Sequence, residues 1–228
     1  MFDRLLKIIT NDDYNKIKNS NILILGIGGV GGYSLETLAR IGIENLTIID
    51  NDIIEESNLN RQIISLHSNI GKYKVDVAKK RCIDINPNIK IKTIKEFITK
   101  NNINEIFKTN YDFIIDACDT ITTKVLIIKK AQELNIPIIS CMGTGNRFNP
   151  TKLQIIDIYQ TNYDPLSKIM RKLLKAENIK KQDVIYSSEI PIKTNNNIPG
   201  STSLVPSTAG IYASYYVINK ILNKNVKF

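Results

Sequence analysis

Asn21-Ile22-Leu23-Ile24-Leu25-Gly26-Ile27-Gly28-Gly29-Val30-Gly31 joins an apolar run to a cluster of glycines. Its first half is a continuous apolar run of strand length, as a strand buried on both faces requires. Its second half is a glycine loop. Glycines there let the turn adopt positive φ and let backbone N–H groups come close to a phosphate. A helix is expected over residues 31–41, stopped by Gly42.

A second strand is expected at 46–50, ending on Asp50. An acidic side chain at that point can accept hydrogen bonds from ribose hydroxyls. A polar loop runs over 51–71. A helix over 72–85 stops before Pro87, because the residue preceding a proline disfavours the helical region. Strands follow at 89–94 and 111–117, a helix at 121–134 and a strand at 137–141. Such alternation means a parallel sheet with right-handed crossovers. After Gly143-Thr144-Gly145 the pattern changes. It gives a strand at 153–159, a helix at 165–176, a strand at 184–188, a loop at 191–200 and a last helix at 207–222. The expected class is α/β, a Rossmann-like three-layer fold with a mostly parallel sheet. Residues 1–20 form a helical lead-in, and 143–228 extend the same sheet within a single unit spanning 1–228.

The chain of 228 residues, 43% of them hydrophobic, can bury a sizeable core. The most apolar late segment, 204–222, is broken by Pro206, Asn219 and Lys220, so no membrane span is expected. The N-terminus lacks a basic region followed by a long apolar core, which argues against a signal peptide and for a cytoplasmic protein. Cys82, Cys118 and Cys141 are not spaced as pairs, so neither a zinc knuckle nor a disulfide framework is expected. The net charge of +9 favours polyanionic partners such as nucleic acid. Drift toward an Ile-, Asn- and Lys-rich composition would produce the same charge.

The glycine loop with Asp50 would serve an NAD-dependent dehydrogenase equally well. Two further segments separate the cases. Ser57-Asn58-Leu59-Asn60-Arg61-Gln62 and Gly71-Lys72-Tyr73-Lys74 place cations beyond the nucleotide end of the sheet. A dinucleotide has no need of them. A triphosphate attacked at its α-phosphate does, because charge develops on it. Taken singly, Arg61 and Lys74 could be solvated surface charges. Asp116-Ala117-Cys118-Asp119-Thr120 then closes the fourth strand, at the carboxyl edge where parallel sheets bind ligands. Asp119, beyond the strand, suits a Mg²⁺ ligand facing a triphosphate. Asp116 can instead cap the following turn.

Together these segments resemble the ThiF/MoeB superfamily of ATP-dependent activators, related to ubiquitin-activating enzymes. The resemblance rests on the glycine loop, Ile48-Ile49-Asp50, the Ser57–Gln62 and Gly71–Lys74 segments, Ile85-Asn86-Pro87 and Asp116–Thr120. It implies ATP and Mg²⁺ as cofactors. Gly26, Gly28, Gly29, Gly31, Asp50, Asp52, Ser57, Asn58, Arg61, Lys74, Asp119 and Thr120 would then contact the nucleotide or its metal. Arg4 would match an arginine that reaches a neighbouring subunit's ATP, which implies a homodimer. Arg61, Lys74, Asp119 and Arg4 are the implied catalytic set. Members that activate sulfur carriers carry paired CxxC zinc motifs, and this chain has none. Thioester-forming members place a cysteine on the crossover loop; here residues 189–205 contain no cysteine.

From Gly143 onward the resemblance narrows to the tRNA threonylcarbamoyladenosine dehydratases. It rests on Gly143-Thr144-Gly145-Asn146-Arg147-Phe148-Asn149-Pro150-Thr151, on Asp164-Pro165-Leu166 through Met170-Arg171, and on Tyr186-Ser187-Ser188-Glu189. Asn149 stands where the family pattern has Asp, and Thr144 replaces a small alanine. The implied reaction adenylates the carboxylate of the threonylcarbamoyl group on a modified adenosine beside the tRNA anticodon. The side chain then closes into a ring. Such a substrate would give the positive charge a task. Lys168, Arg171, Lys172 and Lys175 share a helix face by spacing, with Leu166, Ile169, Met170 and Leu173 on an apolar face. That basic stripe can follow a phosphate backbone or simply be solvated. His67 is expected in a surface loop, and Cys118 and Cys141 as buried fillers. Tyr212, Tyr215 and Tyr216 are expected in packing or a subunit contact. Two rivals remain: an adenylyltransferase for a small sulfur-carrier or ubiquitin-like protein, and an NAD-binding dehydrogenase or regulator.

Overall fold

Strand β1 (Asn21–Leu25) runs through the middle of the sheet, parallel to β2 (Asn45–Ile49) on one side and β4 (Phe113–Asp116) on the other. The coordinates are a computed structural model that describes residues 1–194 and 198–223. With β3 (Lys90–Ile94), β5 (Ile138–Cys141), β6 (Leu153–Asp157) and β7 (Asp183–Ser187), the strands form one seven-stranded sheet in the order β3-β2-β1-β4-β5-β7-β6. Every pairing is parallel except β6 with β7. The switch in strand order between β1 and β4 opens a crevice at the carboxyl edge, where such sheets take ligands.

Side chains alternate across the strands, and the two faces carry separate cores. From β1, Ile22 and Ile24 join one cluster with Ile17, Leu35, Leu38, Val75, Ala209 and Val217. Those residues come from α1 (Asn11–Asn19), α2 (Gly31–Ile41), α3 (Lys74–Ile85) and α7 (Leu204–Ile221). Leu23 and Leu25 point the other way, into a cluster with Ile106, Ile127, Ile128, Met170 and Leu174. These belong to α4 (Ile103–Ile106), α5 (Ile121–Glu133) and α6 (Pro165–Ala176). Helices on both faces make the three layers expected. Among the described residues no helix is long and apolar enough to cross a membrane.

The sequence boundaries hold within a few residues at most elements, and the departures have physical reasons. The last helix starts at Leu204, not 207, with Pro206 inside its first turn. A first-turn N–H has no intrahelical acceptor, so proline there removes nothing. The strand expected at 153–159 ends at Asp157, whose carboxylate accepts the Tyr159 N–H and turns the chain. The four-residue α4 has no counterpart in the expected elements. Of the loop expected at 191–200, residues 195–197 lie outside the described residues.

Candidate active site

The glycine loop is shaped by close backbone contact with β4. Gly26 has φ +80, and a Cβ on it would stand 2.7 Å from the Ala117 carbonyl oxygen. A Cβ on Gly31 would meet the Gly26 carbonyl oxygen at 1.8 Å. These two glycines are needed for the turn itself. Gly28 faces open space, with only Gln62 Nε2 at 3.8 Å. The loop thereby lines a cavity of about 470 Å³ at the carboxyl edge of β1, β2 and β4.

Asp50 follows β2 and ties that strand to the loop. Its Oδ2 accepts the Ile27 N–H at 2.6 Å and its Oδ1 accepts the Asp52 N–H at 2.8 Å. Burial raises its pKa above the usual carboxylate value, opposed by the Lys74 charge and those two bonds. Lys74 opens α3 and is itself buried; its Nζ reaches Asp52 Oδ2 at 2.7 Å. Backbone bonds Lys74 N to Asp52 O and Ile54 N to Lys72 O clamp the Gly71–Lys74 segment against that of Asp52. Arg61 is held from its own loop: Nη1 donates to Ser57 O at 2.8 Å and to Asn60 Oδ1 at 2.9 Å. Asn60 Nδ2 in turn donates to Ser201 O, which ties this loop to the segment before α7.

Across the cavity, Asp119 stands exposed, and its Oδ1 accepts the Thr120 hydroxyl at 3.3 Å. The turn that carries it is anchored from beneath by Asp116. That carboxylate accepts the Cys118 N–H at 3.2 Å, as the capping role requires, and also the Cys118 thiol and the Ser140 hydroxyl. It pairs with Lys124 Nζ at 3.1 Å, and both side chains are fully buried. Burial pulls the Lys124 pKa down, but the attraction of Asp116 outweighs it and the net shift is upward. Lys124 also donates to the Cys141 carbonyl at 2.7 Å, so one ammonium joins the ends of β4 and β5. Burial and the Asp116 charge push the Cys118 thiol far up. It therefore sits in the cavity wall as a protonated filler.

Of the expected nucleotide residues, Gly26, Gly28, Gly29, Asp50, Asp52, Asn58, Arg61, Lys74, Asp119 and Thr120 line this one cavity. Gly31 and Ser57 stand behind it, supporting the loop and Arg61. Arg4 is exposed in the N-terminal segment and is not on the wall. His67 is exposed in a short turn and is also absent from the wall. The wall adds Phe97, Ile98, Gln62, Thr144, Ser201 and Pro206. Gln62 closes the Ser57–Gln62 motif, so its place in sequence could have revealed it. Phe97 and Ile98 follow β3 in a segment without a motif, and only strand order brings them here.

The helix α6 departs from expectation in two places. Its buried stripe is Ser167, Met170 and Leu174, so Ile169, about 100° round from Met170, is 45% exposed and not part of the apolar face. Lys168, Lys172 and Lys175 are exposed as expected. Arg171 is half-buried and its Nη1 donates to both the carbonyl and the hydroxyl of Thr161.

A glycine loop, two cations and an open carboxylate around one cavity define a nucleotide-binding α/β protein equipped for a polyphosphate. The ThiF family profile matches residues 2–224, and the chain belongs to that family. It is similar to the tRNA threonylcarbamoyladenosine dehydratase of Bacillus subtilis (strain 168), 36% identical over 97% of this chain and 94% of the relative. Two crystal structures of the Escherichia coli tRNA N6-threonylcarbamoyladenosine dehydratase superpose closely. The complex with ATP gives a TM-score of 0.92 at 30% identity, covering 98% of this chain and 94% of that one. The complex with AMP gives 0.91 at 29% identity, covering 96% and 92%.

Proposed function

We propose that the chain is an ATP-dependent tRNA threonylcarbamoyladenosine dehydratase, which activates the threonylcarbamoyl carboxylate as an acyl-adenylate and closes it into a ring. The observation that carries this reading is the convergence of Arg61, Lys74 and Asp119 with the glycine loop on one cavity. It occurs in a chain whose dehydratase relatives align over nearly its whole length. The chemistry must bring a carboxylate against phosphates, two anions that repel. In this reading Arg61 and Lys74, both on the cavity wall, offset that charge as it builds on the α-phosphate. Loop N–H groups at the start of α2 cradle the phosphates, and Asp50 takes the ribose.

Asp119 fits Mg²⁺. It is a hard oxygen donor, exposed on the wall, and among the described residues no group of three or more His, Cys, Asp or Glu could cage a metal. One carboxylate plus phosphates and water is the usual Mg²⁺ arrangement. When bound, the ion would neutralise phosphate charge. A carboxylate oxygen attacks the α-phosphorus and pyrophosphate leaves. A nitrogen or oxygen of the same side chain then attacks the acyl carbon, AMP leaves and the nucleophile's proton is released. The substrate has lost one water. Because the nucleophile is intramolecular, proximity makes closure fast and no enzyme cysteine is required.

The working unit in this reading is a homodimer in the cytoplasm, with Arg4 of each subunit reaching the other's ATP. The chain acts as one adenylation unit, residues 143–228 forming its substrate side. Exchange of labelled pyrophosphate into ATP tests the activation step. It should depend on modified tRNA and fall to background in Asp119→Ala. Exchange stimulated by a Gly-Gly-ended carrier protein and not by tRNA would overturn the reading.

A further inference from the structure

Two exposed aromatic rings, on segments that lead back to the Thr144 side of the nucleotide cavity, have no task in the chemistry above. Phe148 is 59% and Tyr163 70% exposed. Each is the chain neighbour of one partner in a buried ion pair: Arg147 Nη2 meets Asp164 Oδ1 at 3.0 Å, with both side chains almost fully buried. That pair lies directly behind the cavity wall. Arg147 Nε donates to the Gly143 carbonyl at 3.3 Å, a Cβ on Gly143 would stand 2.9 Å from Asp164 Oδ1, and Thr144 next in the chain lines the cavity. The Glu189 carboxylate accepts the N–H groups of Phe148 and Asn149, and Asp164 accepts the Ser167 N–H at the start of α6. Both rings therefore stand on backbone that is pinned from below.

Tyr163 is held at φ +57. A bulky residue is disfavoured there, and residues held in such conformations cluster at functional sites. The carboxylates of this face are occupied, Asp164 by Arg147 and Glu189 by backbone N–H groups. One turn into α6 from Asp164, Lys168 is exposed, followed by Lys172 and Lys175. Exposed rings at the entry to a helix that carries exposed lysines suit single-stranded RNA, whose bases stack while its phosphates pair with cations.

We propose that Phe148 and Tyr163 are stacking positions for the unpaired RNA bases that flank the modified adenosine when it enters the cavity. This rests on the dehydratase reading. The test measures binding of fluorescently labelled, threonylcarbamoyl-modified tRNA across a salt series. Phe148→Leu and Tyr163→Gly should each weaken binding by about 5- to 100-fold, while Phe148→Trp and Tyr163→Phe stay within about twofold of the parent, since they keep a ring. The slope of log Kd against log salt should not change in the ring variants, whereas Lys168→Glu with Lys172→Glu should flatten it by about 0.7 for each phosphate left without its lysine. Tyr163→Gly should raise the melting temperature by relieving the φ strain, which separates a loss of stacking from a loss of folding. Unchanged binding in Phe148→Leu and Tyr163→Gly, with the parent still removing water from tRNA in an ATP-dependent way, would overturn the stacking assignment alone. A parent protein without that activity would overturn the dehydratase reading. Loss of a self-associated species in the ring variants would show a subunit contact instead and equally overturn the assignment.

Discussion

Lys124→Met asks how the floor of the site is held. The Lys124 ammonium and the Asp116 carboxylate are 3.1 Å apart with neither side chain exposed. Removing the cation leaves a buried carboxylate with the Ser140 hydroxyl and the Cys118 N–H and thiol as partners. Breaking a buried pair from one side costs about 3–5 kcal/mol, and removal of the bond to the Cys141 carbonyl falls within that range. Against a total stability of about 5–15 kcal/mol, this is a large share. For a chain of this size each kcal/mol moves Tm by about 2–4 °C, so a fall of about 6–20 °C is expected. Urea unfolding of the parent, Lys124→Met, Asp116→Asn and the double variant supplies the energies. Because the double variant buries no unpaired charge, it should be more stable than Lys124→Met by about 2 kcal/mol or more. A loss below about 1 kcal/mol in Lys124→Met, or a double variant that loses the sum of the singles, would refute this account of the pair.

The two glycines of the loop should behave differently. Gly31→Ala drives a methyl into the Gly26 carbonyl and should cost about 3 kcal/mol or more by overpacking; Gly28→Ala meets only a flexible side-chain end and should leave Tm nearly unchanged while weakening ATP binding by calorimetry. Glu36 accepts bonds from Arg40 and Arg81; burial works to raise its pKa, but these arginines outweigh it and hold it below the usual value. A depressed carboxyl stabilises above its unfolded pKa and loses that contribution as pH falls through its lower folded one, so Arg81→Ala should cost about 0.5–1 kcal/mol at pH 7, and the gap to the parent should close progressively as pH falls below the unfolded carboxyl value of about 4.3 in pH-dependent unfolding. If Arg4 acts across a two-fold interface, mixing inactive Arg4→Ala and Asp119→Ala subunits should restore about a quarter of parental activity, since half the random dimers then carry one intact site; no recovery after verified subunit exchange would refute action in trans.

The sequence read most clearly where one residue pattern admits one geometry. The β1 run, the glycine loop and the helix to Ile41 fell in place because apolar run, glycines and Gly42 all punctuate the same unit. The α6 start was equally legible, from Asp164 as cap and Pro165 in the first turn. Strand order was not, because adjacency in the sheet is a long-range property. It decides that β6 lies antiparallel on the edge and that Phe97 and Ile98 reach the cavity. Arg61 and Lys74 were legible as cations at the nucleotide end, but not their ties to Ser57 and Asp52. Lys124 was not legible at all. A lysine inside an apolar helix reads as a surface residue, and nothing in its neighbourhood of sequence reveals that Asp116 and Cys141 lie against it.

In the proposed reaction this cavity uses ATP to take water out of a modified adenosine in tRNA. Its most direct test is mass spectrometry of nucleosides from threonylcarbamoyl-modified tRNA after incubation with the protein, ATP and Mg²⁺. The modified adenosine should lose the mass of one water, with AMP and pyrophosphate formed in equal amount and no conversion by Asp119→Ala. A nucleoside of unchanged mass, or a loss of water that proceeds without ATP, would contradict it.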